Sequence, residues 1–161
     1  MGAAQGTAAP SELTIGGAAY RLRPLTYADI GEFERWAQSD YLAQQKRLVA
    51  EVGLEGDDRR DLLVASIGMA GKLSMTTDDP EASAVMAKIS QSLEGVTRLM
   101  WLSMRKERAE LTMEDVGEMM ADPEAMGEAL EQFNALNDNE GGAEGKEPTV
   151  RRPKPRKKAS R

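Results

Sequence analysis

The side chains of this chain with most chemistry to offer are carboxylates, and several stand in pairs: Asp57-Asp58, Asp78-Asp79 and Glu114-Asp115, with Glu118 one helical turn further on. Adjacent acids can hold a hard cation through oxygen ligands. Here no EF-hand loop or catalytic spacing frames them. Each pair instead lies where a helix is expected to begin, and helix starts favour acids for capping and for the positive end of the helix dipole. The chain has no histidine and no cysteine, which removes imidazole bases, thiolate nucleophiles, disulfides and nitrogen or sulfur metal ligands together. Gly16-Gly17 suits a turn, and no phosphate-cradling glycine motif occurs. The expectation is a protein with no catalytic, cofactor-binding or metal-ligating residues, one that acts by binding.

Two sets of residues suit a binding role. Nine of the ten methionines lie between Met69 and Met126, and methionine is an adaptable filler common on surfaces that accept varied partners. The plainer use, core packing, fits Met86 and Met100, which fall on an apolar helical stripe. Trp36 and Trp101 read as core or core edge. The partner-binding expectation falls on a helix junction: Trp101, Met104, Val116, Met119, Met120, Met126 and Leu130. The second set is a basic tail, Arg151, Arg152, Lys154, Arg156, Lys157, Lys158 and Arg161, with prolines at 153 and 155 that favour an extended chain. Such a tail can bind nucleic acid nonspecifically, or dock on an acidic surface such as the protein's own body. Residues 1–136 hold 13 basic and 23 acidic groups and residues 137–161 hold 8 and 4, so the folded part itself would repel phosphate.

The elements that position these residues are mostly helices. The apolar content is largely Ala, Leu, Met and Val, with only 4% aromatics. Residues 1–11 are expected to form a disordered arm. Leu13/Ile15 and Tyr20/Leu22 alternate on either side of Gly16-Gly17, the pattern of a β-hairpin, which must lie on helices to be stable. Thr26 caps a helix with Asp29 three residues on, and Ile30, Phe33, Ala37, Tyr41, Leu48 and Val52 give it an apolar side. Gly53 and Gly56 break it, and Asp57 or Asp58 restarts a short helix through Leu73.

Asp79-Pro80 opens the main helix, with Ala82, Val85, Met86, Ile89, Leu93, Val96, Met100 and Ser103 on one face, continuing towards Leu111. Thr112 with Asp115, then Asp122-Pro123, start two more helices, the last ending near Leu136. Residues 137–161 are expected to be disordered. The fold class is therefore mainly α: an N-terminal hairpin followed by a bundle of about five helices, one domain over residues 12–136. No run approaches the roughly 18 apolar residues of a membrane helix, so no membrane partner is expected.

Two blocks carry a family resemblance. Tyr20-Arg21-Leu22-Arg23-Pro24-Leu25-Thr26, running on to Ala28-Asp29-Ile30-Gly31-Glu32-Phe33-Glu34, resembles the strand, R-P-L-T, helix opening of phage tail assembly chaperones. Leu99-Met100-Trp101-Leu102-Ser103-Met104-Arg105-Lys106, leading to Leu111-Thr112-Met113-Glu114-Asp115-Val116-Gly117-Glu118-Met119-Met120, is similar to their W-L-x-L-R … L-T-x-E-E-V-G-E-L-L segment. The chain departs from the pattern in having Met where Leu is usual, and Arg108-Ala109-Glu110 where the family often has His-Pro. The resemblance implies a non-enzymatic protein of the host cytoplasm, absent from the mature virion, that coats the long apolar helical tape measure protein. It also implies possible self-association and, in many phages, a frameshift product that recruits tail tube protein. A virion structural protein, such as a head–tail connector or completion factor, is the alternative that the same composition admits.

Overall fold

Side-chain caps set most of the helix starts. The computed structural model describes residues 11–15 and 18–141. The first helix, α1 (Tyr27–Val52), opens on a reciprocal box: the Asp29 backbone N–H donates to Thr26 Oγ1, and the Thr26 backbone N–H donates to the Asp29 carboxylate. It closes at Gly53, whose φ of 72° is the left-handed conformation that glycine adopts without a Cβ clash. The next helix, α2 (Gly56–Ala70), starts at Gly56 with Glu55 as its unbonded cap, not at Asp57 or Asp58, and ends before Leu73. Those two acids occupy its first turn, where they face the positive end of the dipole. Asp79 caps α3 (Pro80–Gln91) by accepting from the Glu81 and Ala82 N–H groups.

The expected single helix from Asp79 towards Leu111 is two helices. Ser92, in extended conformation, ends α3 and begins α4 (Leu93–Met104). Its hydroxyl donates to the Ile89 carbonyl at 2.7 Å and accepts from the Gly95 N–H at 3.0 Å, so one side chain satisfies both helix ends. The chain turns so tightly that a Cβ at residue 95 would stand 2.0 Å from the Ile89 carbonyl oxygen. Leu93, expected on the inward stripe, is consequently 60% exposed.

A second capping box, Thr112 with Asp115, starts α5 (Met113–Met120), and α6 (Pro123–Gly141) follows. The helix α6 runs past Leu136 and Asn137, where the tail was expected to begin. Ser11, assigned by sequence to the arm, is the first residue of β1 (Ser11–Ile15), which pairs antiparallel with β2 (Ala18–Leu22) in the register Leu13↔Tyr20. The Gly16-Gly17 turn and the remaining arm and tail residues lie outside the described residues.

The mainly helical class with an N-terminal hairpin is thus what the chain forms, with six helices among the described residues. The helix α4 is the centre of the packing: α1, α3, α5, α6 and β2 all pack against it, and eight of its twelve residues are buried. The hairpin closes one side by placing Leu13 and Leu22, both fully buried, over α6 and α4. No helix among the described residues is long and apolar enough to cross a membrane.

Gly95→Ala drives a methyl into a backbone carbonyl that cannot rotate away, and should lower unfolding stability by about 3 kcal/mol or more in urea titrations. Gly127→Ala in α6, where no atom outside the helix backbone lies within 4 Å, should be neutral or stabilise by up to about 1 kcal/mol.

Candidate functional site

Two stretches far apart in sequence, the β2–α1 connection and the C-terminal end of α4, meet at one polar joint. Arg105, at the C-cap of α4, lays its guanidinium on Glu32 in a fork: Nη1 donates to Oε1 at 2.9 Å and Nη2 to Oε2 at 2.7 Å. Nη2 also reaches Asp29 Oδ1 at 3.2 Å. The same guanidinium covers the ring of Trp101 at 4.6 Å, and the indole N–H of Trp101 donates to the Leu111 carbonyl at 2.8 Å. Lys106 Nζ stands 3.3 Å from Asp29 Oδ2. One turn earlier, the Ser103 hydroxyl accepts from the Arg23 N–H at 2.9 Å and donates to the Arg23 carbonyl. Arg108 then donates to the Ala19 carbonyl and lies over the Tyr20 ring. The contacts of Ser103, Arg105 and Lys106 with Arg23, Asp29 and Glu32 each join a residue of the first sequence block to one of the second.

Asp29 is the centre of the joint. It is 1% exposed, yet its carboxylate stays charged because its oxygens are surrounded by donors. Burial alone pushes its pKa up, but the hydroxyl and backbone N–H of Thr26, with Arg105 and Lys106, outweigh it and hold the carboxyl at about 2. The other paired acids are also helix-start groups. Asp79 is held below the usual carboxylate range by Lys72, 2.9 Å away, and by the Ala82 N–H; Asp115 is held down by the Thr112 hydroxyl and backbone N–H. Among the described residues, no three acidic side chains gather as a metal site would require.

The expected partner-binding residues divide. Met104, Val116 and Met120 are at most 1% exposed and form the core, so in this conformation they offer almost no surface to a partner. Trp101, Met119, Met126 and Leu130 are half-buried and pack against that core from its edge. The basic tail residues, Arg151 to Arg161, lie outside the described residues. What the sequence reading missed is an arm. The helix α2 packs on α1. Leu48 and Val52 on α1 are 45% and 62% exposed, although their spacing had placed them inward, and Val64 and Ile67 on α2 are 61% and 62% exposed. The buried face of α1 ends instead at Val49. The low amphipathicity of α2, in which apolar residues occur on several sides, was the available signal.

Shallow depressions occur on the surface formed by the described residues. One, of about 290 Å³, lies between the hairpin and α4 and includes Tyr20, Met104 and Arg108. The other, of about 220 Å³, lies at the α1–α2 turn around Val49, Gly53 and Arg59. Both are open and mix charges of either sign. The arrangement is suited to holding elements together and to presenting surfaces.

The sign of the Asp29 effect fixes its pH window. Its folded-state value lies below the unfolded value of 3.8, so it contributes stability above about pH 4 that is lost as pH falls towards about 2. The contribution is about 2 kcal/mol. Asp29→Asn should therefore be the less stable protein at neutral pH, and the difference between the two proteins in urea midpoint should shrink across that acid window. A difference independent of pH would show that the charge of Asp29 does not matter. No family model, no curated protein and no solved structure matches this chain.

Proposed function

We propose that this protein is a tail assembly chaperone of the phage type, which binds a tape measure protein stoichiometrically in the host cytoplasm and is displaced as the tail tube forms. The observation that carries the reading is the joint. The two sequence blocks that resemble the chaperone family are the two halves of one interlocked structural unit, from Arg23, Thr26, Asp29 and Glu32 to Ser103, Arg105 and Lys106. A resemblance made of two unrelated stretches would carry less weight than one whose parts depend on each other.

Two further features support it. The body is strongly acidic, which keeps a complex with an apolar client in solution. The α1–α2 arm offers the client branched apolar side chains, Val52, Val64 and Ile67, that the protein's own core leaves uncovered. The half-buried edge at Met119, Met126 and Leu130 supplies an adaptable second contact. Recruitment of tail tube protein through an extended frameshift product belongs to the same proposal.

Co-expression with the tape measure protein of the same phage tests this reading. The client should be soluble only with the chaperone present, and the chaperone should be missing from finished particles. The triple substitution Val52→Gln, Val64→Gln and Ile67→Gln, at exposed positions where the fold should change by no more than about 0.5 kcal/mol per site, should abolish client solubility. A client equally soluble without the protein, or a protein retained in the particle, would refute the proposal.

A further inference from the structure

The surface of α5 and α6 has an electrical character that the rest of the fold does not share. Between Arg108 and Lys146 the chain contains no basic residue. Eight acids fall between Glu110 and Glu131, and all eight are exposed. Each of the five ion pairs among the described residues involves side chains before residue 109, so none neutralises this surface. On α6, Glu124, Glu128 and Glu131 follow at steps of four and three, which puts them in one stripe. At 100° per residue that stripe lies opposite Ala129, Phe133 and Leu136, which face the core. Like charges at this spacing repel one another. The last turn of α6 likewise has no basic residue to meet the negative end of its dipole. Met126 and Leu130 are half-buried and pack at the edge of the core face, on the other side of the helix from the stripe.

The chain itself carries the complementary partner. Residues 151–161 hold seven basic groups and no acid. They follow α6 after nine intervening residues, 142–150, which span at most about 30 Å. The helix α6, at 19 residues, is about 28 Å long. The connection is therefore long enough for the basic segment to return along the whole of α6 and reach α5. An intramolecular tether of this length supplies an effective concentration in the millimolar range, so a weak contact is enough to hold it. We propose that residues 151–161 dock on the outer face of α5–α6 of the same chain, with the Glu124–Glu128–Glu131 stripe as counter-charge. The docked segment then leaves whenever a competing polyanion takes it or a stronger partner takes the face. This contact does not depend on the chaperone role.

The absence of cysteine makes the test direct. Ser160→Cys, labelled with a nitroxide in the full chain, should quench amide NMR signals of α5 and α6 at about 20 mM salt. The quenching should be lost at about 500 mM, where screening acts over only a few ångströms. Adding Glu124→Gln, Glu128→Gln and Glu131→Gln, all at exposed positions, should abolish the quenching at low salt while leaving the remaining spectrum in place. Quenching spread evenly over the protein, centred on another element, or unchanged by the triple substitution would overturn the proposal. So would quenching that passes to a second, isotope-labelled and unspinned copy in a mixed sample, because the contact would then lie between chains.

Discussion

The guanidinium of Arg105 holds this fold together at a place where the backbone alone would not. It links the end of α4, the most buried helix, to the start of α1, whose Thr26–Asp29 cap follows directly from the hairpin strand β2. A nearly buried carboxylate such as Asp29 is costly unless it is paired and hydrogen-bonded. Here the capping box supplies donors from one side and the two cations of α4's end supply them from the other. The cap thus serves two purposes: it starts a helix and it presents a fixed negative charge for a distant part of the chain. Removing one partner leaves the other without its counter-charge, so the hairpin, α1 and α4 are coupled through a few atoms.

The same arrangement separates structural from presenting parts. The joint, the Ser103 bonds to Arg23 and the Met100–Met104–Met120 core use most of what the two sequence blocks contain. Little of either block is then left to meet another molecule. Surfaces free to do so lie elsewhere, on the α1–α2 arm with its apolar side chains and on the acidic outer face of α5–α6. A motif that specifies a scaffold, with neighbouring surfaces left to meet a partner, is a division of labour suited to the binding role proposed above.

Much of the fold was legible because capping is local chemistry. Thr26 with Asp29, Asp79 with Pro80, and Thr112 with Asp115 all act within three residues, and the hairpin pairs as its alternation implies. The break at Ser92 was obscured because the apolar spacing runs on from Ile89 to Val96 and Met100, so one stripe is shared by two helices. Ser92 followed by Gly95 was the trace of it: a cap, then a residue without a side chain where the preceding helix end presses in. The exposure of Leu48 and Val52 was not legible, since a helix face records its spacing but not where its neighbour ends. The pairing of Arg105 with Asp29 and Glu32 spans more than 70 residues, and only the folded chain brings the groups together.

Whether that joint acts as a unit is best measured by a double-mutant cycle in urea unfolding, using Arg105→Gln, Asp29→Asn and the two combined. The account predicts a coupling energy of about 1–3 kcal/mol, with the double substitution far less damaging than the sum of the two single ones. Additivity within about 0.5 kcal/mol would contradict it, for the two sequence blocks would then fold together without depending on this contact.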